Sequence, residues 1–132
     1  MCLFKRKTVK QKIGRKGEKI AANYLKNKGY TILHRNYRSK RNEIDIAANY
    51  YGTLVFVEVK TTSSDKAEDF KTPSQAVNKH KMDCLIACAR DYIADKKRAY
   101  YNYRFDVIEV YLNRDKPEIN HIENAFYIKK GL

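Results

Sequence analysis

Two carboxylates and one lysine stand out for the chemistry they could do together. Glu58-Val59-Lys60 ends a run in which Leu54, Val55, Phe56 and Val57 are all apolar, and Asp45 lies in the segment before it, Glu43-Ile44-Asp45-Ile46. Successive side chains of a strand point to opposite faces. If the two segments pair as a hairpin, Glu43, Asp45 and Ala47 share one face of the first, with Ile44 and Ile46 on the other. Leu54, Phe56, Glu58 and Lys60 share a face of the second. Asp45, Glu58 and Lys60 then converge at one end of a buried sheet. Paired carboxylates repel unless a positive charge lies between them. Lys60 could supply it, and so could a divalent cation. Mg²⁺ prefers oxygen, keeps several waters, and takes one or two carboxylates plus a substrate phosphate. A lysine beside it could orient or deprotonate a water for in-line attack on phosphorus. The competing reading is a structural salt bridge at a strand end.

The triplet alone discriminates nothing. Acid-x-Lys occurs three times, as Glu58-Val59-Lys60, Asp69-Phe70-Lys71 and Asp95-Lys96-Lys97. Only the first follows a continuous apolar run with an aspartate on the preceding segment. Glu18 is the one acid among residues 1–41. At about 100° per residue it falls beside Ala22 and Leu25, on the border of an apolar helical stripe. From there it could reach over a sheet edge as a further ligand for metal or water. It could equally pair with Arg15 or sit against the helix dipole.

Elements must hold these groups in place. Gly17, Ile20, Ala21, Tyr24 and Leu25 recur at helical spacing, predicting a helix over 15–28 that Gly29 ends. Strands are expected over 30–38, 42–48 and 54–60, the last two joined through Tyr50-Tyr51-Gly52. Residues 61–71 are polar and read as an exposed loop. Thr72 as N-cap, Pro73 in the first turn and Gln75 start a second helix that runs to about Asp95. Strands over 104–111 and 118–122 follow. This order predicts an α/β fold with a central mixed sheet of about five strands flanked by helices. Leu54 to Val57 should be central and covered on both faces.

The chain has 132 residues, 43% hydrophobic and 33% charged, enough for one core and one domain. No run approaches the ~18 apolar residues of a membrane span. No apolar stretch follows the basic start, as a secretory leader would require. Three cysteines without a Cys-x-x-Cys predict reduced thiols and a cytoplasmic protein. His80, Cys84 and Cys88 share a face of the second helix, but they span about 12 Å, too far for one ion.

Net charge is +13, and residues 1–41 hold 14 of the 28 Lys and Arg against that single acid. The remainder is neutral. Such asymmetry predicts a polyanion partner. Nucleic acid is favoured over an anionic membrane because the basic segment has few large apolar anchors. Residues 1–13 are expected to form a mobile basic arm carrying Lys5, Arg6, Lys7, Lys10 and Lys12, ahead of a single domain over 14–132. Arg35, Arg38, Lys40 and Arg41 lead directly into Asp45 and form the best phosphate-contacting cluster. Eleven tyrosines could stack on single strands, but most suit half-buried strand positions.

An ordered set of motifs adds to this reading. Gly17-Glu18, Ala21-Ala22, Tyr24-Leu25, Gly29-Tyr30, Ile32-Leu33 and Arg35-Asn36 come first. Glu43-Ile44-Asp45-Ile46 and Leu54 to Lys60 follow, then Ala76-Val77, Lys81, Arg104-Phe105-Asp106-Val107 and Asn124-Ala125-Phe126. From about Gly14 to Phe126 the chain closely resembles the YraN-like family of candidate endonucleases. The resemblance implies a restriction-endonuclease-like fold of the PD-(D/E)xK nuclease superfamily, similar to archaeal Holliday junction resolvases. It implies a Mg²⁺- or Mn²⁺-dependent endonuclease acting on DNA, with branched or junction DNA in view. Analogy with the resolvases adds a homodimer. Carried over, Asp45 and Glu58 would bind metal, Lys60 would be the active-site lysine and Glu18 the helix acid. Glu43 belongs to the motif without an assigned role and could pair with Arg38 or Arg41.

Two positions depart from the family pattern. Asn42 stands where Gly is usual, and Asn also tolerates positive φ. Thr61-Thr62 stands where an Arg usually follows the Lys, so that Lys66 or Lys71 would have to meet the phosphate instead. The alternative to an enzyme is a non-catalytic DNA-binding module or a partner subunit in a DNA-processing complex. The joint presence of Asp45, Glu58 and Lys60 favours the enzyme.

Overall fold

In the computed structural model, residues 8–63, 78–96, 102–113 and 115–126 are described. Lys5, Arg6, Lys7, Lys66, Lys71 and the Thr72-Pro73-Gln75 start of the second helix lie outside the described residues. Helix α1 (Val9–Asn27) precedes strands β1 (Thr31–Ser39), β2 (Asn42–Tyr50) and β3 (Thr53–Thr62). Helix α2 (Lys79–Lys96) then leads to β4 (Asn102–Tyr111) and β5 (Glu118–Phe126).

The five strands lie side by side in chain order. β3 and β4 are parallel, and the other neighbours are antiparallel. A parallel pair needs a crossover rather than a hairpin, and α2 lies within it. The two helices cover opposite faces. Ala21, Ala22 and Leu25 of α1 pack with Ile46, Val55, Val57 and Ile108. Leu85, Cys88, Ala89 and Tyr92 of α2 pack with Ile44, Leu54, Phe56 and Val107. Leu54 to Val57 are buried without exception, alternating between the two cores. The expected α/β architecture with a mixed sheet is therefore present, and it is compatible with a restriction-endonuclease-like fold. No described helix is long and apolar enough to cross a membrane.

α1 starts earlier than its apolar stripe suggests. Gln11 N donates to Thr8 Oγ1 at 3.1 Å, and Thr8 N donates to Gln11 Oε1 at 2.9 Å. This reciprocal capping box satisfies two of the orphan donors of a helix start. Lys10 and Lys12 consequently project from a helix, not from the arm expected over 1–13. Gly17 is where α1 meets the sheet: a Cβ there would overlap the Thr61 side chain. Its absence lets the helix rest on the end of β3 and brings Glu18 over that end.

A second finding concerns strand faces. Ile46 lies in the core beneath α1 and Ile44 in the core beneath α2, whereas strict alternation places them together. The β1–β2 register runs unbroken from Arg35 opposite Ile46 to Tyr37 opposite Ile44, but the pair between them, Asn36 and Asp45, is not joined. Asn36, opposite this point on β1, has φ of 55°, and Asp45 has no backbone pairing with β3. The local twist turns β2 over by one residue.

On β4, where Asp106 lies opposite Val57 of β3, a second set of charges is buried. The Asp106 side chain has no exposure, and Arg104 is nearly as hidden. Arg104 Nε and Nη2 donate to the two carboxylate oxygens of Asp106, each at 2.9 Å. His121 Nε2 lies 2.7 Å from Asp106 Oδ2, and Asn124 N donates to Oδ1 at 3.1 Å. Tyr24 Oη reaches His121 Nδ1 at 3.2 Å, and Arg104 donates to Tyr30 Oη at 2.6 Å. Tyr50 stacks on Tyr30.

Candidate functional site

β2 and β3 pair from Tyr50 opposite Thr53 as far as Ile46 opposite Val57. One residue further on, Asp45 and Glu58 face the end of that ladder. There the Asp45 carboxylate replaces a backbone partner: Val59 N donates to its Oδ2 at 2.8 Å. The apolar residues that precede Glu58 bury the strand, so Glu58 is carried to the rim of the core with only 7% of its side chain exposed. Lys60 Nζ lies 3.4 Å from Glu58 Oε1. Lys81 Nζ, from the start of α2, lies 3.4 Å from the same oxygen.

Glu18 approaches from α1, fixed by the contact of Gly17 with Thr61. The Asn36 amide nitrogen, oriented as its neighbours require, donates to Glu18 Oε2 at 3.0 Å and to Glu43 Oε1 at 2.9 Å. Glu43 also meets Arg38 Nε at 3.5 Å across an exposed surface, which resolves its pairing in favour of Arg38 over Arg41. Four carboxylates, Glu18, Glu43, Asp45 and Glu58, thus gather where β2 and β3 part.

Their mutual influence is large. Burial, and after it the neighbouring Glu58, pushes the Asp45 carboxyl up to about 8, although the Val59 amide pulls it down. Burial first and Glu43 second raise Glu18, against the opposing pull of Asn36, Arg35 and Arg15.

Two open hollows share Glu18. One, of about 390 Å³, is lined by Val9, Lys10, Ile13, Glu18, Val59 and Lys60 among others. The other, of about 430 Å³, is lined by Arg15, Glu18, Lys19, Arg35 and Asn36. Of the cations expected to contact phosphate, Lys10 and Arg35 therefore border the site. Lys12 is exposed on α1, while Lys40 and Arg41 form the exposed β1–β2 turn. Arg38 is engaged with Glu43. Lys5, Arg6 and Lys7 lie outside the described residues.

Sequence reasoning gave no functional role to Arg15, Lys19, Asn36 or Lys81. Arg15 and Lys19 flank Glu18 within one helical turn, a spacing that puts all three on adjoining parts of one face. Asn36 and Lys81 carry no such local signal, because their places depend on the strand irregularity and on the docking of α2. His80 Nε2 lies 3.7 Å from Cys84 Sγ, and Cys88 turns into the core with its thiol raised by burial. That agrees with setting the three aside as an ion site.

Among the described residues no group of three or more His, Cys, Asp and Glu side chains is arranged to cage a metal ion. A largely buried pair of carboxylates, Asp45 and Glu58, at the rim of the core is a different kind of site. It suits a hard cation that keeps waters and shares its coordination sphere with a phosphate.

Comparison with known proteins gives a consistent result. Residues 17–110 match the family described as Uncharacterised protein family UPF0102. A UPF0102 protein of Caldanaerobacter subterraneus is 48% identical over 124 residues, covering 92% of this chain and 99% of its own length. One from Alkaliphilus oremlandii is 50% identical over 118 residues, covering 88% and 98%. One from Clostridium acetobutylicum is 47% identical over 120 residues, covering 89% and 96%.

Proposed function

The chain belongs to the UPF0102 family, the YraN-like group that its motifs resemble, and on that premise we propose that it is a Mg²⁺- or Mn²⁺-dependent endonuclease of DNA. The observation that carries this reading is the meeting of Asp45, Glu58 and Lys60 at the parting of β2 and β3. Asp45 and Glu58 would hold the cation, with Glu18 placed to bind one of its waters. Bound there, a divalent cation supplies charge for the phosphodiester and its developing negative charge.

The chain's own groups do the rest. Arg15, Lys19 and Arg35 bind successive backbone phosphates along α1 and β1. Lys60, held beside Glu58, orients a water in line with the scissile phosphorus. The water oxygen forms the new bond to phosphorus, and the opposite P–O bond breaks. The products are a phosphate monoester and a free hydroxyl. The basic first third of the chain supplies the sequence-independent attraction that such contacts need. Branched or junction DNA is the substrate class that the resemblance to junction resolvases suggests.

The test is cleavage of linear, flapped and four-way DNA with Mg²⁺ or Mn²⁺. Wild type should cut at least one of them, and Lys60→Ala should abolish cutting while leaving DNA affinity nearly intact. Thermal melts complete the test. If Lys60 serves chemistry, Mg²⁺ should recover part of any stability lost in Lys60→Ala through linkage. If Lys60 is only a counter-charge, Lys81 still faces Glu58, and whatever stability Lys60→Ala loses should be the same with and without Mg²⁺. That outcome, together with no cleavage by wild type, would sink the proposal.

A further inference from the structure

Glu58 has one lysine too many. Lys60 and Lys81 both lie 3.4 Å from the same oxygen, Oε1, of a carboxylate that is 7% exposed. A single negative charge needs one ammonium for balance, and Lys60 is already supplied by the same face of the same strand. Lys81 comes from a different element. Its backbone N donates to the Asn78 side-chain oxygen at 2.9 Å, and Met82 N donates to the Asn78 carbonyl at 2.9 Å. The main chain at the root of Lys81 is thus fixed, while its side chain remains 40% exposed. No acidic residue lies in the first turn of α2, so Lys81 has no carboxylate on its own turn to retain it.

Any cation that takes up Glu58 Oε1 competes with both ammoniums. Lys60, 38% exposed, is tethered two residues from Glu58 on the same strand, which keeps it near. Lys81 can swing on a long, flexible stem toward the solvent side, where a backbone phosphate would lie. We propose that Lys81 is a phosphate-binding lysine that rests on Glu58 and moves to a non-bridging oxygen of the DNA phosphodiester when Glu58 engages a divalent cation. This rests on the metal-dependent reading of the site and deepens it. It makes Glu58 the point at which metal and DNA binding are coupled: the ion frees the lysine, and the phosphate keeps it away.

The test measures binding, with the full chain and without turnover. Mn²⁺ affinity is read by isothermal titration calorimetry in the absence of DNA. DNA affinity is read by fluorescence anisotropy with Ca²⁺ and again with EDTA. Removal of a competing charge should tighten Mn²⁺ binding to Lys81→Met by about tenfold. The same variant should bind DNA about tenfold more weakly with Ca²⁺ and lose close to one unit of salt slope. With EDTA its DNA affinity should match wild type, because Lys81 is then held by Glu58. Lys81→Arg, which keeps the charge, should bind DNA with Ca²⁺ within about threefold of wild type. Unchanged or weaker Mn²⁺ binding by Lys81→Met, or an equal loss of DNA affinity with and without Ca²⁺, overturns the proposal while leaving the nuclease reading in place. Failure of wild type to bind Mn²⁺ at all overturns both.

Discussion

Two aspartates interrupt the sheet in the same way and end in opposite states. Asp106, on β4, accepts the backbone N–H of Asn124. Asp45, on β2, accepts that of Val59. Each irregularity contains an asparagine in the left-handed region, Asn124 with φ of 51° and Asn36 with φ of 55°. Around Asp106, however, every partner is a donor: both arms of Arg104, His121 and the Asn124 amide. Around Asp45 the near neighbours are three more carboxylates, and its proton is held to about 8. A fully satisfied buried network fixes one structure. Four neighbouring carboxylates that Lys60, Lys81 and Arg38 balance only in part cost stability and persist where another group is meant to complete them. The first is therefore read as architecture and the second as the working site.

The largest expected effect tests the architectural half. Asp106→Ala takes from the mostly buried Arg104 its bidentate partner and leaves it only the Glu123 carboxylate at 4.0 Å, a broken buried pair of the kind that costs up to about 3–5 kcal/mol. Equilibrium urea unfolding should show that loss equally with EDTA and with Mn²⁺. The matching change at the other site should have the opposite sign. Asp45→Asn replaces a carboxyl that burial and Glu58 drive toward its neutral form, keeps an acceptor for Val59 N, and should leave the metal-free chain at least as stable as wild type. Added Mn²⁺ should then no longer stabilise it. Loss of several kcal/mol in metal-free Asp45→Asn would erase the distinction between the regions.

The distinction between the regions was only partly visible in the sequence. The strand carrying Leu54 to Val57 was legible because all its residues are apolar, and Glu58 and Lys60 follow from it by alternation. Asp45 was legible as its partner for the same reason. The reversal of Ile44 relative to Ile46 was not, since it depends on Asn36 in the neighbouring strand. The early start of α1 could have been read from Thr8 and Gln11, a capping pair hidden by the dense basic run around it. Asp106 was visible only as part of a motif. Its network joins α1, Tyr30 ahead of β1, β4 and β5, segments whose adjacency no local pattern encodes.

A smaller effect, in pH, sharpens the comparison. The unfolded chain releases the Asp45 proton near pH 4, whereas the folded chain keeps it to about 8. Between those values the folded state binds more protons, so stability falls as pH rises. The contribution is complete below about pH 4 and is lost as pH passes through about 8. Glu18, raised for the same leading reason, adds the same sign. Urea midpoints at pH 5, 6, 7 and 8 with EDTA should decline in wild type and decline less in Asp45→Asn. Mn²⁺ should flatten the wild-type trend, since its binding displaces that proton. Identical slopes in the two proteins would remove Asp45 as their source.

The smallest expected effects lie at the rims of the two clusters, where they should still differ in sign. Tyr24 closes the Asp106 network from outside, through its contact with His121 Nδ1 at 3.2 Å, and Lys28 Nζ lies 3.2 Å from the same hydroxyl. Tyr24→Phe keeps the ring and removes only the hydroxyl, at a cost of about 0.5–1.5 kcal/mol. Glu18 closes the carboxylate cluster through Asn36. Glu18→Gln keeps an oxygen for that amide and removes a charge that Glu43 and Asp45 oppose. Metal-free stability should then hold or rise by a few tenths of a kcal/mol, the scale of a partly screened surface charge. The two variants together ask whether the regions differ throughout or only at their central aspartates. Parallel melts with EDTA should move Tyr24→Phe down and Glu18→Gln level or up. Mn²⁺ should leave the first difference unchanged and turn the second into a deficit, because the wild-type Glu18 then gains a cation to face. A loss in Glu18→Gln as large as that in Tyr24→Phe, insensitive to Mn²⁺, would place Glu18 in the architecture and confine the working site to β2, β3 and α2.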